Sequence, residues 1–406
     1  MGKDRDLVIG FTYNLLAPTK DYTLDYLRRY SEWDSATKIE SITRALEETG
    51  NRVIQIPVDR DILSKLRSVK EKIDIVFNIA EGLSSELIEG NLREALIPTF
   101  LEFLQIPYTG SGPMSQAECL DKARAKDIAG AFGVRSAKSQ LVWEVPFRMS
   151  EALQFPIVVK LNSEGSSLGM TQASRLDSAN HVDRLVRRLI KEYRQPILIE
   201  EFIGGTEYTV GIVGNLIMPV MKVELSKLPN SPSLRDQEVK DLEPEYTFLN
   251  NPSSDKNALT LAQFSGLYDE LAWMAATAHE ALRCRDFNRL DFRERKGRPY
   301  MLELNPLPGM HPTDGDLPVM ARAAGIDFGS LVNMVLLEAI KRYRADDRFS
   351  ERFAARRTNA IAERVNKMVS RLGFFPKKIT TFGKEYCLLR PSDSVQCASV
   401  FAEPAC

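Results

Sequence analysis

The segment that most constrains the fold is residues 289–305, RLDFRERKGRPYMLELN. Apolar and polar residues alternate on both sides of Gly297, which predicts a β-hairpin with its turn at that glycine. The pairings that follow are Leu290 with Leu304, Phe292 with Leu302, Asp291 with Glu303, and Arg289 with Asn305. Because alternate side chains of a strand point to opposite faces, one face of this hairpin is apolar and the other carries the charges.

The charged face of the hairpin sets two acids against each other. Asp291 and Glu303 lie directly opposite in this register, and like charges in that position cost stability. Two interpretations remain open. Either the face is solvated and Arg289 or Arg293 neutralises the acids, or a divalent cation lies between them. Magnesium prefers hard oxygen ligands, and the amide oxygen of Asn305 would complete such a set.

Composition limits the class of protein. A chain of 406 residues, 44% apolar and 27% charged, suggests two or three globular domains. The net charge of −1 gives no general electrostatic case for nucleic acid. The first apolar run is too short and interrupted for a signal peptide, and no stretch is long enough to span a membrane. The five cysteines are scattered, which favours a reducing cytoplasm, and three histidines are too few for a zinc cluster.

The N-terminal third alternates strands and a helix. DLVIGFTYN, RVIQIPV and IDIVFNIAEG have strand length, and SATKIESITRALEETG between the first two is amphipathic. Asp34 or Ser35 can cap this helix, and Gly50 can end it. The order predicts a parallel sheet, in which ligands bind beyond the carboxyl ends of the strands.

The rest of the chain changes pattern. SQAECLDKARAKDIAGAFGV predicts one helix that ends at Gly133, short strands follow, and the polar residues 226–256 predict a long loop. The last sixty residues predict an addition whose residues 346–378 are helical and basic, with twelve Lys or Arg and four Asp or Glu between residues 341 and 378, and whose tail beyond Gly383 we expect to be partly disordered. A solvated helix face explains this charge more simply than a partner site, although both remain open.

A lysine and a glycine-serine loop suggest a phosphate site. In FPIVVKLNSEGSSLG, a strand that contains Lys160 leads into a loop with Ser166 and Ser167. Successive backbone N–H groups and hydroxyls cradle phosphate, and a nearby lysine adds a point charge. The signal is weak alone, and Lys122 in CLDKARAK and the acidic hairpin strengthen it.

The segment PILIEEFIGGTEYTV adds a candidate nucleoside site. A buried strand ends in Glu200 and Glu201, and Glu207 follows a glycine turn at a spacing suited to a ribose. A purine needs backbone donors and acceptors from an extended segment, and ribose hydroxyls need a carboxylate. An exposed strand end is the alternative explanation for Glu200 and Glu201.

In combination, these segments resemble a known family. IPYTGSGP, DKARAK, FPIVVKLNSEGSSLG, LIEEFIGGTEYTV and RLDFRERKGRPYMLELNPLPGM occur in the order seen in the D-alanine–D-alanine ligase branch of the ATP-grasp superfamily. The resemblance covers roughly residues 5–345. It implies an α/β and α+β fold, with a Rossmann-like parallel sheet domain before a two-lobed ATP-grasp domain; the helical basic extension lies beyond the resemblance and is predicted from its own residues. The predicted boundaries are 1–118, 119–205 for the small lobe, 206–345 for the large lobe with the magnesium site, and 346–406 for the extension and tail.

The resemblance also implies roles for individual residues. ATP and one or two Mg²⁺ ions, with Mn²⁺ as a substitute, are the expected cofactors. Phosphate contacts fall to Lys122, Lys160, Ser166, Ser167 and Lys240, adenine contacts to Glu200, Glu201, Phe202 and Ile203, and the ribose to Glu207. Metal ligands are Asp291, Glu303 and Asn305, and Arg289 with the Gly309 N–H would stabilise the acyl phosphate and the tetrahedral intermediate. Glu32 is the nearest candidate for the glutamate that holds the first substrate's amine.

The substrate end departs from the family pattern. Glu81 stands where a histidine is usual, and HPTDGDLP brings Asp314 and Asp316 to the place of a serine-leucine pair. An aspartate there would repel a substrate carboxylate and favour an amine. We therefore expect a ligase that activates an amino acid or small carboxylic acid as an acyl phosphate and joins it to an amine other than D-alanine.

Several alternatives stay open on the sequence. A true D-alanine–D-alanine ligase of cell-wall synthesis could reach the same product with altered residues. A phosphotransferase on the same scaffold would stop after phosphoryl transfer, and a non-catalytic ATP-binding module would lose turnover altogether. We expect small-molecule substrates, no nucleic acid and no membrane partner. A homodimer and a partner at the basic C-terminal helices are both compatible with the sequence.

Overall fold

The computed structural model describes residues 6–15, 33–83, 92–223, 225, 228, 232–236, 239, 246–248, 261–354, 358–370 and 374–391. The N-terminal elements are β1 (Val8–Tyr13), α1 (Ala36–Glu47), β2 (Arg52–Pro57), α2 (Ile62–Val69), β3 (Ile75–Asn78) and α3 (Leu96–Phe103). The strands form the expected parallel sheet, in the order β2-β1-β3. Ser35 caps α1, because its hydroxyl accepts a hydrogen bond from the Lys38 backbone N–H.

The helix predicted to end at Gly133 is in fact two helices, α4 (Pro113–Leu120) and α5 (Lys122–Ala131). Asp121 separates them: its backbone is extended, and its carboxylate accepts a hydrogen bond from the Arg124 backbone N–H as the cap of α5. The break frees the Lys122 backbone N–H to donate to the carbonyl oxygen of Asn162, 3.1 Å away. The prediction of one helix was wrong because an internal aspartate can begin a new helix as well as occupy one.

A small antiparallel sheet follows. Its elements are β4 (Ser139–Val142), β5 (Ile157–Leu161), β6 (Arg175–Leu176), α6 (Val182–Tyr193) and β7 (Ile197–Glu201). The strand order is β4-β7-β5-β6. Ile157, Val159 and Ile199 bury their side chains against Val186 and Leu189 of α6. One face of the sheet is thus covered by a helix, and the other is left for a ligand.

The larger sheet carries the hairpin. Its first elements are β8 (Glu207–Val213), β9 (Leu216–Ile217), β10 (Met221–Val223), β11 (Tyr246–Phe248), α7 (Leu261–Ala281), β12 (Phe287–Arg295) and β13 (Arg298–Asn305). Strand β8 lies between β12 and β10. Leu290, Phe292 and Leu304 are buried in one cluster with residues of α7, so the apolar face of the hairpin is the core face, as predicted. Two helices then follow, α8 (Asp316–Ala323) and α9 (Phe328–Arg344).

The hairpin register is confirmed in three of its four predicted pairs. Arg289 pairs with Asn305, Leu290 with Leu304, and Asp291 with Glu303. Lys296 and Gly297 both have positive φ, as a two-residue type I′ turn requires. The pairing of Phe292 with Leu302 was wrong, because a β-bulge sets Phe292 opposite Met301. Met301 is therefore buried, and Leu302 faces a cavity instead of the core.

The C-terminal extension is helical only in its first part. Its elements are α10 (Ser350–Ala354), α11 (Asn359–Val369), β14 (Phe374–Thr381) and β15 (Lys384–Pro391). The helical prediction, which ran to Lys378, was therefore wrong from residue 374, and the expectation of disorder beyond Gly383 was wrong for residues 384–391, because residues 374–391 form a hairpin whose strand β15 runs parallel to β9. Ile379, Tyr386 and Leu388 are buried in the same cluster as α7, and this apolar contact favours a strand pattern over a helix.

The C-terminal extension belongs to the larger sheet, because its strand β15 pairs with β9. The residue boundaries of the domains stay predictions. Among the described helices, none is by itself both long and apolar enough to cross a membrane. The pair Asp316–Ala323 and Phe328–Arg344 meets the length and composition requirement only jointly, with a 107° bend between its members.

Candidate active site

A cavity of about 450 Å³ lies where the small sheet, the larger sheet and the N-terminal region meet. It brings together most of the side chains singled out in the sequence. The predicted site residues that line it are Glu81, Lys122, Lys160, Ser166, Ser167, Glu200, Glu201, Phe202, Ile203, Glu207, Arg289, Asp291, Glu303, Asn305, Gly309, Asp314 and Asp316. Glu32 and Lys240 lie outside the described residues.

One wall of the cavity is the charged face of the hairpin, and we call Arg289, Asp291, Glu303 and Asn305 the hairpin wall. The Arg289 guanidinium lies 2.7 Å from Asp291 and 3.8 Å from Glu303. The Asn305 amide nitrogen lies 3.4 Å from Glu303 and 3.5 Å from Asp291. Thr209 on the neighbouring strand donates a hydrogen bond of 2.9 Å to Asp291. Backbone register thus fixes the position of every member of this wall.

The hairpin wall is suited to a divalent cation. Burial raises the pKa of Asp291, Arg289 opposes this, and the negative charges of Glu303 and Asp316 raise it further. Added positive charge would therefore stabilise the ionised carboxylates. Across the described part of the chain, no three His, Cys, Asp or Glu side chains converge as a metal site. Two carboxylates and one amide oxygen instead fit Mg²⁺, which takes its other ligands from water and phosphate oxygens.

Opposite this wall lies the glycine-serine loop that follows β5. Ser166 and Ser167 both have positive φ, at 47° and 61°, as does Gly169 at 71°. Such left-handed backbone is uncommon outside glycine and concentrates at functional sites. The Lys122 ammonium lies 3.4 Å from Glu303 and also binds the carbonyl oxygen of Glu164 in this loop. The loop and the hairpin wall are thus linked through one lysine.

The end of β7 and the start of β8 form a third wall. Glu200 and Glu201 are buried, so the alternative of an exposed strand end was wrong. Arg293 lies 3.3 Å from Glu207 and donates a hydrogen bond of 3.1 Å to the carbonyl oxygen of Ile203. Its guanidinium also stacks 5.1 Å above the ring of Phe202. Arg293 thereby holds Glu207, which is predicted to bind the ribose, next to the backbone at Ile203, which is predicted to bind the purine.

Comparison with known proteins decides the family. The family model described as "D-ala D-ala ligase C-terminus" matches residues 131–337, just over half of the chain. D-alanine–D-alanine ligase of Brucella anthropi is 33% identical over 299 residues, which cover 72% of this chain and 89% of that protein. The Rhizobium meliloti ligase is 29% identical over 300 residues, 73% of this chain and 89% of that one.

The chain belongs to the D-alanine–D-alanine ligase family. The resemblance noted in the sequence is therefore confirmed, and with it an ATP-dependent ligase that forms an amide bond. A crystal structure of D-alanine–D-alanine ligase from Bacillus anthracis complexed with ATP aligns with a TM-score of 0.61 at 21% identity, covering 83% of this chain and 98% of that one. This likeness shows the ATP-grasp fold.

The remaining wall combines loop residues with Asp316, the first residue of α8, and we call Glu81, Asp314, Asp316 and Arg235 the loop wall. Asp316 does not point a bare charge at the cavity, since it accepts hydrogen bonds from Arg289 at 2.9 Å and from Arg235 at 3.0 Å. Asp314 is 74% exposed and contacts His311 at the rim. Glu81 is buried 3.4 Å from Arg93.

The sequence alone did not reveal Arg235, which lines the cavity, or Arg93 and Lys126, which contact lining residues from behind. Arg235 lies in the polar segment 226–256, where charge pattern gives no reason to prefer one cation over another. Its carbonyl oxygen accepts a hydrogen bond of 2.9 Å from the Ser167 hydroxyl, which places residues 232–236 across the loop. Arg93 joins Glu81, Glu94 and Glu164 at 3.4–3.7 Å. Lys126 was also missed, although its spacing of four from Lys122 on a helix was a usable signal.

Proposed function

We propose that this ligase activates the carboxylate of an amino acid or small carboxylic acid as an acyl phosphate and joins it to an amine, releasing ADP and phosphate. The observation that carries the proposal is the meeting of the hairpin wall and the glycine-serine loop on one cavity. The acids of the hairpin wall suit a cation, and the lysines and loop backbone on the same cavity suit phosphate. Phosphoryl transfer to a carboxylate needs both.

ATP and magnesium would occupy adjoining parts of the cavity. The purine would lie along residues 201–203, the ribose hydroxyls at Glu207, and the phosphates between Lys122, Lys160 and the loop with Ser166 and Ser167. Asp291, Glu303 and Asn305 would hold Mg²⁺. When bound, the metal supplies positive charge to the phosphate oxygens. The role of Lys240 as a further phosphate contact stays a prediction.

The chain's own residues then serve two displacements. A substrate carboxylate oxygen attacks the γ-phosphorus and ADP departs, after which an amine attacks the acyl carbon and phosphate departs. Arg289 lies at the centre of the hairpin wall, and Gly309 lines the same cavity. We propose that the Arg289 guanidinium and the Gly309 backbone N–H stabilise the negative charge on the tetrahedral oxygen, because positioned donors stabilise charge that develops during reaction. Glu32 stays the candidate for the first substrate's amine.

For the substrates we keep the expectation that the pair is not two molecules of D-alanine. Asp316 no longer supports it, since Arg235 and Arg289 neutralise its charge. What supports it is the residue type at Glu81, a glutamate where the family usually has a histidine; its charge adds nothing, because Arg93 lies 3.4 Å from this carboxylate. The second candidate is D-alanyl-D-alanine synthesis. The names of the relatives favour it.

Phosphate release tests these candidates. Purified protein with Mg²⁺ and ATP is offered D-alanine alone and a panel of amino acids, singly and in pairs, with mass spectrometry of the products. An Asp291→Asn, Glu303→Gln double variant is the blank. Release that requires two substrates and yields a new amide supports the proposal, and rapid release with D-alanine alone favours the second candidate. A phosphorylated product without free phosphate identifies a phosphotransferase, and ATP binding without turnover leaves two explanations, an acceptor outside the panel or a binding module.

The cellular location and the partners are also proposed from the family. We propose a cytoplasmic enzyme that acts on small molecules. A homodimer and a partner at the basic C-terminal helices stay predictions.

A further inference from the structure

The buried carboxylate of Glu200 has two lysine partners. One oxygen contacts the Lys126 ammonium, and the other lies 2.5 Å from the Lys160 ammonium. Glu200 itself is 4% exposed. A buried charge is costly unless it is paired, and one lysine would suffice to pair this carboxylate. The presence of a second lysine therefore calls for an explanation.

The two lysines differ in their access to the cavity. Lys160 lines the cavity and its side chain is 12% exposed, whereas the Lys126 side chain is 3% exposed and lies behind Glu200 on α5. Lys122, one helical turn before Lys126, reaches the cavity as well. A phosphate in the cavity can thus attract Lys160 and Lys122, while Lys126 stays with the carboxylate.

We propose that Lys126 is a positioning residue that keeps Glu200 neutralised when the nucleotide phosphates take over Lys160. The inference rests on the proposed function in that Lys160 serves the phosphates of ATP. With Lys160 alone, its transfer to a phosphate would leave a buried, unpaired carboxylate beside the purine. With Lys126 present, Glu200 keeps one ammonium partner after Lys160 moves to the phosphate, and the wall near Glu200 keeps its position.

The charges around the carboxylate support this exchange. Burial alone would raise the pKa of Glu200, but Lys126 and Lys160 outweigh it and lower the pKa to about 2. With both lysines in place, the group is therefore ionised at neutral pH. Two ammonium groups against one carboxylate also leave a surplus positive charge, which is available to an incoming phosphate.

The test compares nucleotides that differ only in their phosphates. Binding of Mg²⁺-ATP and of adenosine is measured by calorimetry for the native protein and for Lys126→Met, Lys126→Arg and Arg124→Gln. Arg124 lies on the same helix with its side chain 70% exposed, and it serves as the matched control. We expect Lys126→Met to weaken ATP binding about tenfold or more and adenosine binding less than about threefold. Lys126→Arg keeps the charge and should bind ATP like the native protein.

Other outcomes would overturn the inference. Equal weakening of ATP and adenosine would mean that Lys126 only supports the wall, and unchanged ATP binding would mean that Glu200 needs no second partner. If Lys126→Met does not fold, the Lys126→Met, Glu200→Gln double variant removes both charges. It should bind ATP more tightly than a Glu200-retaining Lys126→Gln variant. A native protein that fails to bind ATP would instead refute the proposed function.

Discussion

The hairpin wall and the loop wall face the same cavity but are built differently. In the hairpin wall, the partners of Asp291 lie on neighbouring strands, so backbone register fixes Glu303 and Thr209 beside it. In the loop wall, Asp316 pairs with Arg289 of the hairpin wall and with Arg235, which lies 81 residues away in a different segment. The first arrangement can be derived from local alternation. The second depends on how segments far apart in the sequence meet. The hairpin wall and its chemistry can therefore be retained while the loop wall, and with it the substrates, changes.

Removing the guanidinium from the hairpin wall should have the largest effect on activity. We expect Arg289→Met to lower kcat about 10²–10³-fold, because charge on the tetrahedral oxygen loses its positioned donor. ATP affinity should stay within about fivefold, since the change acts mainly on the transition state. Steady-state kinetics with the substrates identified above, together with ATP binding, provide the measurement.

The matched control for Arg289→Met is Arg298→Gln, because Arg298 is exposed on the same hairpin. It should leave kcat unchanged. Equal losses in both variants would show that the hairpin is merely sensitive to substitution, and a native kcat in Arg289→Met would remove Arg289 from the chemistry.

Much of the fold could be predicted because its signals are local. The parallel sheet follows from apolar runs separated by an amphipathic helix, and Ser35 caps that helix as its position suggests. The facing of Asp291 and Glu303 follows from alternation about Gly297. In each case a few consecutive residues carry both the element and its orientation.

What could not be predicted depends on contacts between distant residues. Leu302 and Met301 are both apolar, so nothing local selects which one enters the core, and the bulge that decides it is a tertiary effect. The hairpin at residues 374–391 is stabilised by burial against α7, which lies far earlier in the chain. The neutralisation of Asp316 requires Arg235, whose segment has no periodic pattern that would place it.

A pair of leucines on β13 tests the bulge. Leu304 is buried in the core, whereas Leu302 lines the cavity. Leu304→Ala should lower the free energy of unfolding by about 3 kcal/mol, and Leu302→Ala by less than about 1 kcal/mol, because only the first leaves a cavity in the core. Urea unfolding of both variants measures the difference. Equal losses would contradict the bulged register and restore the predicted pairing.

A buried histidine at the end of α7 should make stability depend on pH. Burial lowers the pKa of His279 to about 4, and its Nδ1 lies 2.9 Å from the side-chain amide of Asn288, next to Arg289 on β12. The unfolded chain, with a pKa near its ordinary value of about 6.5, takes up the proton first. Stability from His279 is therefore complete above about pH 6.5 and is lost as pH falls toward 4.

The expected loss from this histidine is about 2 kcal/mol between pH 8 and pH 5. Urea unfolding of the native protein and of His279→Gln at both pH values isolates the effect, since the carboxylates titrate in both proteins and cancel in the difference. His279→Gln should be less sensitive to acid by that amount. Parallel curves for the two proteins would show that His279 is protonated in the folded state.

The smallest expected effect concerns the loop wall. Asp316 holds Arg235 and Arg289 together, and Arg235 connects through its carbonyl oxygen to Ser167 on the opposite side of the cavity. Arg235→Gln and Asp316→Asn should each lower kcat/KM about tenfold, because either change releases the same contact between segment 232–236 and α8. The two losses should not add, and the double variant should resemble the more damaged single variant. Multiplied losses would mean that Arg235 and Asp316 act independently and that Asp316 acts only through Arg289 of the hairpin wall.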